Sequence, residues 1–474
     1  MQIRHAGKFA LALGSIVSAA LVLGSAPARA AQPAAKNPVI TVKVGANPQL
    51  PAVTGSRVFV PNQGSNSITV IDRATNATSE IALGSAPTAA VVVGARVWVR
   101  LSDAKQYAVI NPDSLAIEQY IPVGTQPSLP AIGDGGLNVA ISNTGDNTVT
   151  LIQGDTGTIA FTRDVGTSPQ RGTFGSQDTD LRNKLFIPNG DDGTVSVISL
   201  DSNTVVATLN VGGKLGDAIA SPSGSPAGHK VYIPQHDVGT EIRIIDQDTL
   251  DASDMYFLDG DGLSSPLNIV NAGNNLIAPA EGAIETRNLV DGSATDSLDV
   301  TQFTKGWLGA GDVSADGKWA LYSSPKGPFT PSAPYVTLVN TSNQKVTAFL
   351  KVGNTPGSLS FAPTGAVAYV SNAGDGTVSV IDLATPFWPS APRKTKVNEQ
   401  RNGWGMKSTV SWKKPKRPSG LNDYYVAATD TVKHCSTKQT SCTVKNLSAH
   451  KGYSYQVRAR SDFAIGSAGW AHGK

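Results

Sequence analysis

Side chains able to move protons or bind metals are few in this sequence. Of its 6 histidines, His5 falls in the N-terminal leader and His434, His450 and His472 lie near the C-terminus, which leaves His229 and His236 for the long middle of the chain. The stretches YIPQH, ending at His236, and IAPAE, ending at Glu281, occupy the same place in successive copies of an internal repeat. An imidazole and a carboxylate at one rim would suit general acid–base work, or a hard divalent cation held with further oxygen ligands. No Ser-His-Asp order, H-E-x-x-H pair, phosphate loop or cysteine nucleophile can be assembled around them. The plainer reading makes both solvated turn residues, so no catalytic residue is assigned beyond this weak pair.

Two acidic loops, GDDG at 190–193 and DGDG at 259–262, carry oxygens at alternating positions as a calcium loop does. Neither completes an EF-hand, and Asp-Gly is what a tight connection between strands needs in any case, so no metal or other cofactor is expected. The only two cysteines, Cys435 and Cys442, flank STKQTS at hairpin spacing. In an exported chain a disulfide is the expected outcome, because a metal site seeded by these and His434 would still lack ligands, and none is evident in the sequence. Export itself is read from Arg4 and Lys8 ahead of an apolar run at 9–23 that ends in APARA, the pattern of a secretory signal over residues 1–30. No other stretch approaches the roughly 20 apolar residues of a spanning helix.

What must position these residues is a repeat. VFVPNQGSNSITVID at 58–72 returns as AYVSNAGDGTVSVID at 368–382, with intermediate copies beginning at Leu137, Lys184 and Lys230. Each copy holds an apolar strand, a polar turn of the form N-x-G-[DS]-[GN]-[ST], a second apolar strand and a third. A weaker strand follows a recurring V-G-x-x-P. Asn and Gly are expected at the turn because one position there needs positive φ. A period of about 40 to 50 residues marks an array of four-stranded meanders, each too small to bury both faces alone. Turns near Asn62, Ser102, Asn143, Asn189, Gln235, Ala280, Ser323 and Asn372 predict an all-β, eight-bladed β-propeller over 39–386. The second, sixth and seventh copies match weakly, so seven blades is the alternative. The orphan strand VITVKV at 39–44 is expected to complete the last blade and close the ring.

The YVSN at 369–372 with its trailing VIDLAT resembles the YVTN-type β-propeller repeat of secreted bacterial proteins, over about 345 residues. That resemblance implies a binding scaffold, surface protein or, less often, an enzyme. Secreted propeller lyases of the virginiamycin B lyase kind, similar at the level of fold alone, use His, Glu and magnesium at such a rim. The alternative to a scaffold is therefore a lyase or hydrolase acting through His236 and Glu281.

After a linker at 387–396, residues 397–474 carry several short alternating strands, a small β-sandwich. Trp412 as a core tryptophan, and Leu447 followed by Tyr453 as a tyrosine corner, make this segment resemble a fibronectin type III domain. The abrupt GWAHGK ending predicts a short last strand. Charge divides at the same boundary: residues 31–386 hold 20 Lys and Arg against 32 Asp and Glu, and residues 387–474 hold 16 against 4. A basic module on an exported protein suits an anionic polymer of the envelope, or the acidic ring itself; KKPKRP at 413–418 has a nucleic-acid composition, but export argues against that partner. The expectation is a secreted, non-catalytic scaffold presenting loops to protein or glycan ligands at the cell envelope.

Overall fold

Strands such as Arg57–Asn62, Asn138–Asn143, Lys184–Asn189 and Val367–Asn372 are buried from the second residue to the last. A strand with one wet face would alternate instead, so these are covered on both sides. The computed structural model describes residues 38–473 apart from 177–179, 237–240, 258–260, 264–267, 271–274, 282, 300–309, 325–333, 344, 385, 419, 429–430 and 432; the signal read at 1–30 lies outside them. Each of the four strands named is the second of an antiparallel meander, as in Ala52–Val53, Arg57–Asn62, Ser67–Asp72 and Thr78–Ala82. Below, each sheet takes the name of the residue that ends this second strand. Exposure rises toward the fourth strand, and Thr78–Ala82 is almost wholly exposed. A register shift recurs where the fourth strand pairs, at Val109/Ile110, Leu151/Ile152, Val197/Ile198, Thr286/Arg287 and Leu338/Val339. Such bulges increase local twist, which lets successive sheets splay outward.

Neighbouring residues of the second strand point to opposite faces, and they join different apolar clusters. Phe59 packs with Val97, Trp98 with Val139, Ala140 with Leu185, Phe186 with Val231, and Tyr232 with Leu276. Ile277 packs with Ala320, and Leu321 with Ala368. Tyr369 then packs with Val58, so the last sheet returns to the first. The fourth strand of the Asn372 sheet comes from the other end of the chain: Val39–Lys43 pairs antiparallel with Thr377–Asp382, from Val39 opposite Ile381 to Lys43 opposite Thr377.

The C-terminal residues form a two-sheet sandwich. One sheet places Gly405–Lys413 between Arg393–Asn402 and Ser441–Ser448. The other runs His434–Thr437, Asp423–Ala428, Ser454–Arg460, Ala464–His472 and does not stop there, because Ala464–His472 also pairs with Lys345–Lys351, the outer strand of the Ser324 sheet. The core holds Val410, Trp412, Tyr424, Val426, Val444 and Val457, with Trp412 edge-on to Tyr424 at 5.0 Å. The backbone N–H of Ser448 donates to Tyr453 Oη at 3.2 Å, the bond that defines a tyrosine corner.

Three expectations need correction. The last strand is not short: Ala464–His472 has 9 residues, because it has a partner on each side. The stretch 387–396 is not an open linker, since Trp388 is 2% exposed and Arg393–Asn402 is already a strand. The cysteines do bond, at a Cα separation of 6.3 Å. They do not span one hairpin, however, because His434–Thr437 and Ser441–Ser448 belong to different sheets and the bridge ties the two sheets of the sandwich.

Candidate functional site

The rim that carries His236 is built by the repeat's turn. Asn62, Asn143, Asn189 and Asn372 are wholly buried at the end of their strands. In the Asn189 sheet, Asn189 Nδ2 donates to Thr194 Oγ1 at 2.9 Å and Ser196 Oγ at 3.0 Å, while Oδ1 accepts from the Gly166 N–H at 3.0 Å. Asn143 does the same with Thr148, Thr150 and Gly124. Asn62 and Asn372 repeat the two hydroxyl contacts. The glycine of V-G-x-x-P is obligatory for this reason: a Cβ on Gly45 or Gly166 would stand 2.6 Å from the Cγ of Asn62 or Asn189. The Asp of the turn completes the lock, with Asp146 and Asp192 each accepting from the next backbone N–H, at Thr125 and Thr167. Those hydrogen bonds hold both carboxyls below the ordinary range. Asp192 of the GDDG loop is therefore committed to its own backbone.

The turn does contain one position of positive φ filled by Asn or Gly, as expected, but that position is not the leading Asn. Asn62 is extended at φ −107°, and the left-handed position falls on Asn66, Asn147, Gly193 and Gly376. The available signal was the company the Asn keeps: Ser or Thr recurs at the same two places in the following strand. Asn189→Ala is expected to cost about 1–3 kcal/mol, because it strands the Gly166 N–H and leaves two hydroxyls without their donor. Urea unfolding followed by tryptophan fluorescence checks it.

A second aspartate recurs at the opposite end of the hairpin. Asp72 Oδ1 accepts from the Ala74 and Thr75 N–H groups, and Asp246 Oδ1 from those of Asp248 and Thr249. Partial burial pulls the Asp246 carboxyl upward, but the Lys230 ammonium at 2.6 Å and the Thr249 donors outweigh it and hold the group at about 2. A carboxyl that titrates lower when folded contributes stability that is complete above its ordinary value of 3.8 and is lost as pH falls toward that lower value. Melting temperature should therefore drop between about pH 5 and about pH 2, and Asp246→Asn should flatten part of that drop.

His236 and Glu281 hold equivalent places: His236 follows Lys230–Gln235, and Glu281 ends Asn275–Glu281 in the next sheet. The Glu281 side chain lies outside the described residues, as does 237–240 beside His236. His229 cannot join them, because it precedes the strand that His236 follows, about 20 Å away along it; its Nδ1 lies 3.1 Å from Asp248. What the structure does bring together near His236 is charge that motif reading missed. In this sheet Gln235 replaces the Asn, and Glu241 and Arg243 take the places of the Ser and Thr. Arg243 Nε donates to Gln235 Oε1 at 2.8 Å, and its Nη2 lies 2.9 Å from Glu241 Oε2, both side chains under a fifth exposed. Lys214, whose carbonyl accepts from the His236 N–H, pairs loosely with Asp191 at 3.8 Å. Glu241 and Arg243 thus put an ion pair where the other sheets place a Ser or Thr pair. Among the described residues no cluster of His, Cys, Asp and Glu has the makings of a metal site.

The seam between the repeat and the sandwich is the other built feature. Trp388 meets Trp319 edge-on at 5.7 Å and carries the Arg417 guanidinium 5.8 Å from its ring. Arg458, 3% exposed, lies 5.2 Å from the Phe349 ring and donates to the Gly466 carbonyl at 3.0 Å. Residues 390–469 match the family model of the Fibronectin type III domain. This domain thus begins within the stretch read as linker. No curated protein matches the chain. Among solved structures it is similar to Kuenenia stuttgartiensis Hydrazine Synthase, at 18% identity over 73% of this chain and 98% of that one, with a TM-score of 0.46. The fibronectin type III domain and its disulfide are consistent with an extracellular protein, and among the described residues no helix is long and apolar enough to cross a membrane.

Proposed function

We propose that the chain is a secreted, non-catalytic binding scaffold: an eight-bladed β-propeller of YVTN-type repeats, presenting rim loops to a protein or glycan at the cell envelope, with the fibronectin type III domain fixed to its side. The observation that carries this reading is the use to which the rim's polar groups are put. Asn189, Asp192, Thr194 and Ser196 hold their own loops in one shape, and loops ordered before contact lose less entropy on binding. The strand pairing of Ala464–His472 with Lys345–Lys351 serves the same end by removing a hinge.

The test is retention of envelope material by the immobilised full chain, alongside a His236→Ala variant and a divalent-metal titration read by thermal shift. Specific retention that His236→Ala leaves unchanged, with no metal stabilisation, supports the scaffold. Stabilisation by a divalent ion that His236→Ala abolishes would overturn it in favour of the lyase or hydrolase reading.

A further inference from the structure

The excess of positive charge on the fibronectin type III domain is gathered on one face. In the sheet of Arg393–Asn402, Gly405–Lys413 and Ser441–Ser448, alternate residues Met406, Ser408, Val410 and Trp412 are buried while Lys407, Ser411 and Lys413 are exposed. Register extends the exposed row across the neighbours: Arg393 lies opposite Lys413, Lys396 opposite Ser411, Asn398 opposite Thr409 and Gln400 opposite Lys407. Thr443 lies opposite Thr409, and Lys445 follows on the solvent side. The outward face therefore carries Arg393, Lys396, Lys407, Lys413 and Lys445 and no carboxylate. Among the described ion pairs none involves these five; the acidic residue of the strand, Glu399, sits in the inward register and is met by Tyr455 Oη and Arg401.

Like charges directly opposite on adjacent strands destabilise a sheet, and Arg393 with Lys413 is such a pair. An anion laid across them would relieve it. The cations fall in rows at the two ends of the face, about 20 Å apart along the strands. Between them stand hydroxyl and amide side chains, with Thr409 and Thr443 joined at 3.0 Å. That layout fits a chain of repeated charges rather than one small anion. At the tip of the hairpin supplying two of the three strands, Trp404 is 83% exposed, braced by the His450 ring at 4.6 Å and by the bond from the Ala449 N–H to its carbonyl at 3.0 Å. A single indole platform suits the apolar face of one sugar ring, whereas single-stranded nucleic acid is held by a series of aromatics on which successive bases stack.

We propose that this face, with Trp404 at its end, binds an acidic polysaccharide lying along the strands. The proposal deepens the scaffold reading by naming one ligand class and its surface. The experiment is titration of the full chain with alginate, dextran and oligothymidylate over a range of salt, for the native protein, for Lys396→Glu/Lys407→Glu/Lys445→Glu, for Trp404→Ala, and for a control Lys345→Glu/Lys351→Glu at two exposed lysines of the Ser324 sheet. Expected are salt-sensitive binding of alginate alone and a loss of at least about tenfold in the triple variant. The slope of log affinity against log salt should also become shallower by about three. Trp404→Ala should weaken binding without changing that slope, and the control should bind normally. Equal loss in the control, equal binding of dextran, or tighter binding of oligothymidylate would overturn the assignment. If native and triple variant retain envelope material equally while alginate fails to bind, this surface is wrong and the scaffold reading stands.

Discussion

Removing Val39–Lys43 is expected to open the ring. That strand is the outer member of the Asn372 sheet, and its Val39 and Val42 are 8% and 7% exposed, each buried in a cluster shared between sheets. Their burial alone is worth about 3–6 kcal/mol. The strand also anchors the ends of the hairpin it covers, through the Val44 N–H to the Gly376 carbonyl and the Asp382 N–H to the Pro38 carbonyl, both at 3.0 Å. Without it Thr377–Asp382 becomes a bare edge of alternating apolar residues, a template for pairing between molecules. The truncated protein should elute as higher oligomers in size-exclusion chromatography and be cut early by protease within 356–382. A monomer with unchanged melting temperature would mean that the ends do not close the fold.

Trp388→Ala is the second large effect. The indole is nearly inaccessible, packed on Trp319 and the cluster that includes Leu350 and Ala464. It also holds Arg417, whose Nε donates to the Trp388 carbonyl at 3.1 Å. Replacing a buried tryptophan by alanine costs about 3–5 kcal/mol, and here the loss falls on the seam where the Ser324 sheet meets the fibronectin type III domain. The expected result is a single thermal transition split in two, with a new protease site between residues 383 and 393. Trp404→Ala, at an exposed tryptophan of the same domain, should leave stability within about 0.5 kcal/mol. If Trp388→Ala behaves like Trp404→Ala, the seam is not what holds the fibronectin type III domain in place.

These two expectations separate what can be read locally from what cannot. The strands, their turns, the orphan partner at 39–44, and the roles of Trp412 and Tyr453 were legible because each depends on period, turn chemistry or a short fixed spacing. The cysteine pairing was legible for a simpler reason, since only two cysteines exist. The seam was not. FWPSAPRK looks like a linker by composition, and only the approach of the Ser324 sheet turns Trp388 into core and gives Ala464–His472 a second partner.

The same division runs through the rim and the basic face. Residue order made Asn a turn former, which is correct as to place; its burial, and the obligatory glycine facing it, follow from bringing V-G-x-x-P of one turn against the Asn of the next. The total charge of the C-terminal domain could be counted from the chain, but its gathering on one sheet face depends on which strands pair and in what register. By itself the sequence determined period, polarity and the chemistry of each turn, because those are interactions between residues close in the chain. Tertiary structure decided which surfaces meet, because apolar faces and charges find partners by distance in space, and a linear order does not carry that distance.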